Sequence, residues 1–275
     1  MKIAILGADG FIGSGLLTYF KTVETIIENS KAPKDRYTYH AITRDNYFCY
    51  IGDEFDIFIN AAGNSRKFWA NKYPVEDFEL STIGVMHSFN DFFMKKYIYI
   101  SSVDVYNNII NNTLRKRENV EIYGSELEPY GFNKFLAEQI VQKYAKNYLI
   151  LRCSAVIGKN LKKGVIKDLL NDVKIRVSKD TQIQFITVKA IGMIIFELLE
   201  QLQENEIFNV GGIGALRVWE IAQMLGINSF KTTYGKNKNY NVNVSKLNSV
   251  FELLSTRNYI QEFIDEGMDE SLQSV

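Results

Sequence analysis

Short apolar runs that alternate with longer amphipathic segments limit most strongly how this chain can fold. Through the first half, each strand-like run is followed by a stretch with apolar residues at helical spacing. This order predicts a parallel sheet with helices on both faces. The predicted strands are Ile3–Leu6, Tyr37–Thr43, Phe55–Asn60, Tyr97–Ser101 and Tyr148–Arg152, and the predicted helices are Phe11–Phe20, Val75–Met94 and Tyr130–Lys146.

The segment between the second and third predicted strands is short. Between Thr43 and Phe55 there is no room for a full crossover helix. One helix of the usual double winding is therefore predicted to be shortened or missing.

The second half, from about Gly158, has a less regular pattern. It predicts returning sheet elements together with a small lobe over the edge of the sheet. The predicted helices here are Val165–Leu170, Ala190–Leu202 and Val218–Leu225, and the predicted strands are Gln184–Val188 and Ile207–Val210.

Composition excludes several classes of function. The 275 residues balance 32 basic against 32 acidic side chains, so no overall field favours nucleic acid. Two histidines and two cysteines, Cys49 and Cys153, are too few for a zinc cluster, and no metal site is expected. Both cysteines lie in apolar runs predicted as buried strands, which suits a reducing cytoplasm. No signal peptide or membrane helix is expected.

A glycine-rich loop directly follows the first strand and opens the first helix. Its sequence is Gly7-Ala8-Asp9-Gly10-Phe11-Ile12-Gly13. The first glycine permits a tight turn, the second lets backbone approach a pyrophosphate, and the third lets helix and strand pack closely. The helix N-terminus adds free N–H groups and partial positive charge. The candidate cofactor contacts in this loop are Gly7, Asp9, Gly10, Phe11, Ile12 and Gly13.

The end of the second strand bears on which dinucleotide binds. A carboxylate there favours NAD, whereas an arginine accommodates the phosphate of NADP. The sequence Thr43-Arg44-Asp45 offers both groups. A guanidinium forks well onto phosphate, so Arg44 favours NADP, with NAD as the alternative. A solvated Arg–Asp pair with no ligand is the other interpretation.

Tyr130 and Lys134 stand four residues apart at the start of a predicted helix. That spacing puts both side chains on one helix face. A nearby ammonium is expected to lower the pKa of the phenol toward neutral pH, which would make Tyr130 a usable acid–base. Ser102 ends an apolar strand at the edge where ligands lie in such sheets, and it is a candidate to bind a substrate oxygen.

Together these motifs resemble the extended short-chain dehydrogenase/reductase family of epimerases, dehydratases and reductases. Further segments similar to the family pattern are Asn60-Ala61-Ala62-Gly63, Phe185-Ile186-Thr187-Val188 and Phe208-Asn209-Val210-Gly211-Gly212. The resemblance implies a Rossmann doubly wound α/β fold with a small C-terminal substrate-binding lobe. Residues 1–157 would then be the NAD(P)-binding domain and residues 158–275 the returning elements and lobe.

The resemblance also implies roles for individual residues. Tyr130 would transfer the proton, Lys134 would bind the nicotinamide ribose, and Ser102 would hydrogen-bond the reacting oxygen. Ala61, Ala62 and Gly63 would contact the cofactor. The helix at Val75–Met94 and the one bearing Tyr130 pair between subunits in this family, so a homodimer is expected. Phe135, Ile140 and Val141 would serve such a contact or the internal core.

Departures from the family pattern concern the substrate. Val103 stands where the family's dehydratases carry an acid, which argues against dehydration. Ala155 replaces a common asparagine, and Ile183 or Gln184 replaces an arginine that grips diphosphate. Lys159, Lys162 or Lys163 could take over that contact. The candidate substrate residues are Asn64, Ser65, Arg66, Val103 and Ser154.

The sequence thus predicts an NAD(P)-dependent reductase or epimerase acting on a carbonyl or secondary alcohol, with a nucleotide sugar among the candidate substrates. Arg44 tips the choice toward a reductase. The alternative is a dinucleotide-binding regulator or scaffold without turnover. The joint presence of Ser102, Tyr130 and Lys134 counts against that alternative.

Overall fold

The computed structural model describes residues 1–29, 37–106, 116–201, 205–233 and 237–267. Its strands are β1 (Lys2–Leu6), β2 (Thr38–Ile42), β3 (Glu54–Asn60), β4 (Phe93–Ser102), β5 (Tyr148–Cys153), β6 (Ala155–Ile157), β7 (Gln182–Ile183), β8 (Phe185–Thr187), β9 (Glu206–Val210) and β10 (Leu216–Arg217). Its helices are α1 (Phe11–Asn29), α2 (Lys67–Lys72), α3 (Pro74–Phe78), α4 (Gly84–Asp91), α5 (Pro129–Tyr144), α6 (Val165–Leu170), α7 (Val188–Gln201), α8 (Val218–Met224), α9 (Ser245–Asn248) and α10 (Thr256–Asp265). The predicted helix end at Leu202 and the end of the predicted 158–275 segment lie outside the described residues.

Six of these strands form one parallel sheet in the order β2-β1-β3-β4-β5-β9. Alternate residues of β1 face opposite sides, as the pleat requires. Ile3 and Ile5 pack with α1 and α7 on one face, whereas Ala4 and Leu6 pack with α4 and α5 on the other. Helices therefore cover both faces, and the predicted Rossmann-type α/β fold is confirmed.

The link from β2 to β3 is as short as predicted. It holds one 3-10 turn, Tyr47–Tyr50, where a crossover helix would otherwise lie. The chain still reaches the far side of β1, because β1 pairs with both β2 and β3. Cys49 is exposed on this turn, so the prediction that it lies in a buried strand is wrong. Cys153, at the end of β5, is buried as predicted.

The second predicted helix is not continuous. Residues 75–94 contain α3, a π-helical turn at Glu79–Ile83 and α4, and β4 begins at Phe93. The predicted end at Met94 is wrong because β4 extends four residues before Tyr97, with partly exposed residues at its start. The helix α2 was not predicted. Val141 is buried in the core, with Phe135 and Ile140 partly buried against it, so these three residues serve internal packing.

The second half contributes to the sheet and also builds its own apolar cluster. β9 completes the sheet edge and α7 packs on α1. Two small sheets, β6-β8 and β7-β10, lie over a second cluster formed with α6, α8 and α10. The predicted strand Gln184–Val188 is shorter, because Val188 begins α7. The division of the chain at residue 157 stays a prediction. Among the described residues, no helix has the length and apolar character that crossing a bilayer requires.

A buried ion pair joins α5 to β5. The Arg152 guanidinium donates to the Glu138 carboxylate through Nη2 at 2.7 Å and through Nε at 3.1 Å. Ser101 donates to the same carboxylate at 2.5 Å. Arg152 also donates to the Tyr106 hydroxyl, which in turn donates to Asn209 on β9, each at 2.8 Å. The pair thus holds together β4, β5, β9 and α5.

We expect Glu138→Gln to lower the free energy of unfolding by about 3–5 kcal/mol, because it leaves Arg152 charged and buried without its counter-ion. Lys95→Gln is the control, since Lys95 pairs with Asp56 at 2.6 Å but its side chain is 81% exposed. The urea midpoint of the control should stay close to that of the wild type. Equal midpoints for both variants would contradict the central role of the Glu138–Arg152 pair.

Candidate active site

Gly7 makes the turn out of β1. Its φ of +79° lies in the region that glycine adopts without strain. Its N–H donates to the Ile42 carbonyl at 2.9 Å. A Cβ on Gly7 would lie 2.8 Å from Cα of Ala62, so the loop after β3 touches the glycine-rich loop. Residues from β1, β2 and β3 therefore meet at one place on the carboxyl edge of the sheet.

Gly13 and Gly10 serve different purposes in the same loop. A Cβ on Gly13 would overlap the carbonyl oxygen of Gly7, so only glycine lets α1 start this close to β1. Gly10 is exposed, and its N–H donates to Gly7 at 2.9 Å. Helix α1 begins at Phe11 and directs its first-turn N–H groups toward this exposed backbone. Asp9 is exposed beside it.

The end of β2 presents Arg44 to solvent. Thr43 N–H donates to the Asn46 side chain at 2.7 Å, and that side chain donates back to Ala41 at 3.0 Å. Asn46 thus fixes the turn that carries Arg44. The Arg44 side chain is exposed, two residues after Ile42, whose carbonyl holds the glycine-rich loop.

The loop after β3 is ordered by Asn60. Its side-chain oxygen accepts from Ala62 N–H at 3.0 Å, and its nitrogen donates to the Tyr97 hydroxyl at 2.7 Å. Gly63 has a φ of +104°, which turns the chain toward α2. Ala61 and Ala62 are half-buried beside the glycine-rich loop.

Ser102, Tyr130 and Lys134 lie together at the carboxyl end of β4. Each side chain is buried, with 8%, 8% and 5% exposure respectively. Lys134 Nζ donates to the Ile100 carbonyl at 3.2 Å and lies 4.9 Å from the centre of the Tyr99 ring. A Cβ on Gly131 would overlap the Asp104 carbonyl, so this glycine lets α5 pack tightly against the end of β4.

The expected lowering of the pKa of Tyr130 is not observed. Burial and the nearby Asp104 carboxylate raise the pKa of this phenol above its ordinary value, while Ser102 opposes the rise. Burial also lowers the pKa of Lys134 to about 8, against the opposing effect of Asp77. The sequence argument considered the ammonium alone and omitted the burial of both groups, which here is the larger effect.

Two charged residues that the sequence analysis did not select lie beside Ser102. Its hydroxyl donates to Asp104 Oδ2 at 3.0 Å, and the same oxygen accepts from Lys67 Nζ at 2.6 Å. The Lys67 ammonium also lies 4.1 Å from the centre of the Tyr240 ring. Asp104 follows Ser102 by two residues in a 3-10 turn, and this proximity in sequence was the available signal. Nothing in the sequence places Tyr240 here.

Asp77 organises a buried polar network beneath α5. Its carboxylate accepts from Asn64 and from Asn133 at 2.7 Å each, and from Ser81 at 3.3 Å. Asn133 immediately precedes Lys134, so the network fixes the helix turn that carries this lysine. The amide of Asn64 is buried and directed to Asp77, which conflicts with its predicted substrate contact.

The other predicted substrate residues are placed differently from one another. Val103 packs in the main core, and its predicted substrate contact stays a prediction. Ser154 is buried against Gly211, and its Oγ has no hydrogen-bond partner in the described part of the chain. Ser65 and Arg66 are exposed on the loop between β3 and α2. Among the described residues, no three His, Cys, Asp or Glu side chains converge to hold a metal ion.

The comparisons with known proteins concern the family and the fold. The model of the NAD dependent epimerase/dehydratase family matches residues 3–211. A search of curated proteins finds no match.

Solved structures with the same fold include a reductase and an epimerase. RMD from Pseudomonas aeruginosa, solved with NADPH, is 15% identical with a TM-score of 0.76, covering 96% of this chain and 98% of that one. A dTDP-4-dehydrorhamnose reductase from Clostridium acetobutylicum is 15% identical, with a TM-score of 0.76 and coverage of 97% and 99%. The UDP-glucuronic acid 4-epimerase from Bacillus cereus, in complex with UDP-glucuronic acid and NAD, is 19% identical, with a TM-score of 0.71 and coverage of 96% and 98%.

The lowered pKa of Lys134 predicts a particular pH dependence of stability. Between pH 8 and about 10.5, the folded chain has released this proton while the unfolded chain still binds it, so the free energy of unfolding rises with pH. Lys134→Met lacks this contribution. Across that window its stability should therefore fall relative to the wild type, by about 3 kcal/mol.

Urea unfolding at several pH values from 7 to 10.5 measures this difference. Lys143→Met is the matched control, because Lys143 is exposed on the same helix. If the free energy of unfolding of both variants changes with pH as it does in the wild type, burial does not lower the pKa of Lys134.

Proposed function

The chain belongs to the NAD dependent epimerase/dehydratase family, and we propose that it is an NAD(P)-dependent enzyme that reduces a carbonyl or oxidises a secondary alcohol. One observation carries the proposal. Ser102, Tyr130 and Lys134 are buried side by side at the same sheet edge as the glycine-rich loop. This chemistry needs a loop and helix N-terminus that bind pyrophosphate, and it also needs a phenol and an ammonium for proton transfer. A regulator without turnover needs only the pyrophosphate-binding loop.

The residues at the sheet edge fit a dinucleotide. The exposed backbone at Gly10 and the start of α1 would hold the pyrophosphate, because N–H groups at a helix N-terminus bind anions. Ala61 and Gly63 would lie along the cofactor, and Lys134 would reach its ribose. When bound, the cofactor supplies or accepts the hydride. Arg44, exposed after β2, would bind the phosphate of NADP, with NAD as the alternative.

Tyr130 would donate the proton to the substrate oxygen during reduction. A phenol whose pKa is raised holds its proton at neutral pH, which is the state a proton donor requires. The Lys134 ammonium would then stabilise the phenolate that remains. Ser102 would hydrogen-bond the same substrate oxygen and fix its distance from Tyr130. The exposed Arg44 is the observation that favours a reductase over an epimerase, because an arginine after β2 suits NADP and NADP suits net reduction.

The proposed substrate is a nucleotide sugar. The C. acetobutylicum reductase and the B. cereus epimerase are named for dTDP- and UDP-linked substrates, and the same class is proposed here. Gln184 occupies the place of the expected arginine, but it is fully buried and donates to Gly212 at 2.6 Å, so it would not contact a diphosphate. Dehydration is disfavoured, because Val103 has no acidic group to protonate a leaving hydroxyl. The homodimer and the cytoplasmic location stay predictions.

A fluorescence titration with NADPH and NADH tests the cofactor assignment. We expect NADPH to bind more tightly, and Arg44→Ser to weaken NADPH about tenfold while leaving NADH unchanged, because the guanidinium meets only the extra phosphate. Lys21→Ser, which removes an exposed charge from α1, is the control. Absence of binding for both nucleotides would overturn the proposed function.

Turnover with 4-keto and 4-hydroxy nucleotide sugars tests the role of Tyr130. We expect Tyr130→Phe to keep NADPH binding and to lower the rate by about a hundredfold or more, because only the proton transfer is lost. Tyr123→Phe is the control, since Tyr123 is 57% exposed and hydrogen-bonded to Glu121. Unchanged turnover in Tyr130→Phe would favour a different acid, and absence of turnover in the wild type with every sugar would favour the regulator.

A further inference from the structure

Three basic side chains converge beside the candidate active site, and we call Arg66, Lys67 and Lys163 the cation cluster. Arg66 and Lys67 stand at the start of α2. Lys163 comes from the segment between β6 and α6 and reaches across to the loop after β3. Its ammonium donates to Ser65 Oγ at 2.7 Å and also contacts the Ser65 carbonyl. The two halves of the chain are therefore joined at this point.

The charges in the cation cluster exceed the carboxylates that face it. Lys67 pairs with Asp104, whereas neither Arg66 nor Lys163 forms an ion pair with a carboxylate in the described ranges. Lys163 instead contacts neutral oxygens, and the Arg66 guanidinium lies 5.5 Å from the centre of the Trp69 ring. Two positive charges thus stay without counter-ions.

The mutual repulsion of these cations is visible in Lys163. Its pKa is lowered to about 8, first by burial and then by the charges of Arg66, Lys67 and Lys134. Bringing like charges together opposes folding, and a bound anion would offset that repulsion. The arrangement is therefore more typical of a binding site than of a structural contact.

The cation cluster is linked by contacts to Ser102, and the segment that carries Lys163 starts near the glycine-rich loop. On one side, Lys67 and Ser102 contact the same oxygen of Asp104. On the other, a Cβ on Gly158 would lie 3.9 Å from the Phe11 ring, so the segment that carries Lys163 begins beside the glycine-rich loop. A group bound by Lys67 would therefore lie near Asp104 and Ser102.

We infer that the cation cluster is an oxyanion subsite for the substrate, binding its diphosphate or a carboxylate on its sugar. The inference rests on the proposed function and supplies the anchor that Gln184 does not. An arginine can fork onto two oxygens of either group, and two lysines add donors from other directions. The partly exposed positions of Lys67 and Lys163 leave the site accessible to a ligand.

Calorimetric titration of the NADPH-saturated protein with UDP, and separately with glucuronate, tests the subsite. We expect at least one of these probes to bind, and Arg66→Gln with Lys163→Gln to weaken it by about tenfold for each charge removed. Lys72→Gln is the control for lost charge, because Lys72 is exposed at the far end of α2. Circular dichroism of each variant reports whether it is folded, and NADPH titration reports whether its cofactor site is intact.

The outcomes separate this inference from the proposed function. Weakened UDP binding with intact NADPH binding supports a diphosphate subsite, and the same result with glucuronate supports a carboxylate subsite. Unchanged probe binding in the double variant, or no probe binding to a wild type that binds NADPH, overturns the subsite and leaves the proposed function standing. If the folded double variant loses NADPH binding, the subsite is also overturned, because the cations would then hold the cofactor.

Discussion

The buried pair between Arg152 and Glu138 is the interaction on which the rest of the site depends. Both groups are removed from water, so each requires the other and the hydroxyls around them. Ser101 donates to this carboxylate, and the next residue is Ser102, whose hydroxyl faces the opposite side of β4. Glu138 lies one turn after Lys134 on α5. The pair therefore fixes the position of β4, which carries Ser102, relative to α5, which carries Tyr130.

Local sequence patterns predicted most of the large sheet because its central strands are mostly buried on both faces. Ile3–Leu6 and Tyr148–Arg152 are continuous apolar runs, and their bounds were correct to within a residue. The pattern failed where burial is partial. Phe93 begins β4 in a half-exposed stretch that also has helical spacing, and Cys49 lies in an apolar sequence that forms an exposed turn. An apolar residue type does not by itself distinguish a buried strand from an exposed turn or strand end.

The site was predictable where its chemistry is local in sequence. The glycine-rich loop and the spacing of Tyr130 and Lys134 are each contained within a few residues. Asp77 and Lys67 were missed because they reach the site through contacts over long separations, as in the contact of Lys67 with Asp104. The direction of the pKa of Tyr130 was missed for a related reason. Burial depends on the whole fold, whereas the effect of a neighbouring lysine can be inferred from spacing.

The place of β9 in the sheet has a consequence for any shortened form of the protein. β9 hydrogen-bonds along β5 and supplies Asn209, which accepts from Tyr106. A fragment ending at residue 157 would present the β5 edge unpaired, and its residues 149–153 are apolar but for Arg152. Bare, apolar edges recruit strands from other molecules. Such a fragment would contain most of the residues assigned to the cofactor and yet be prone to self-association.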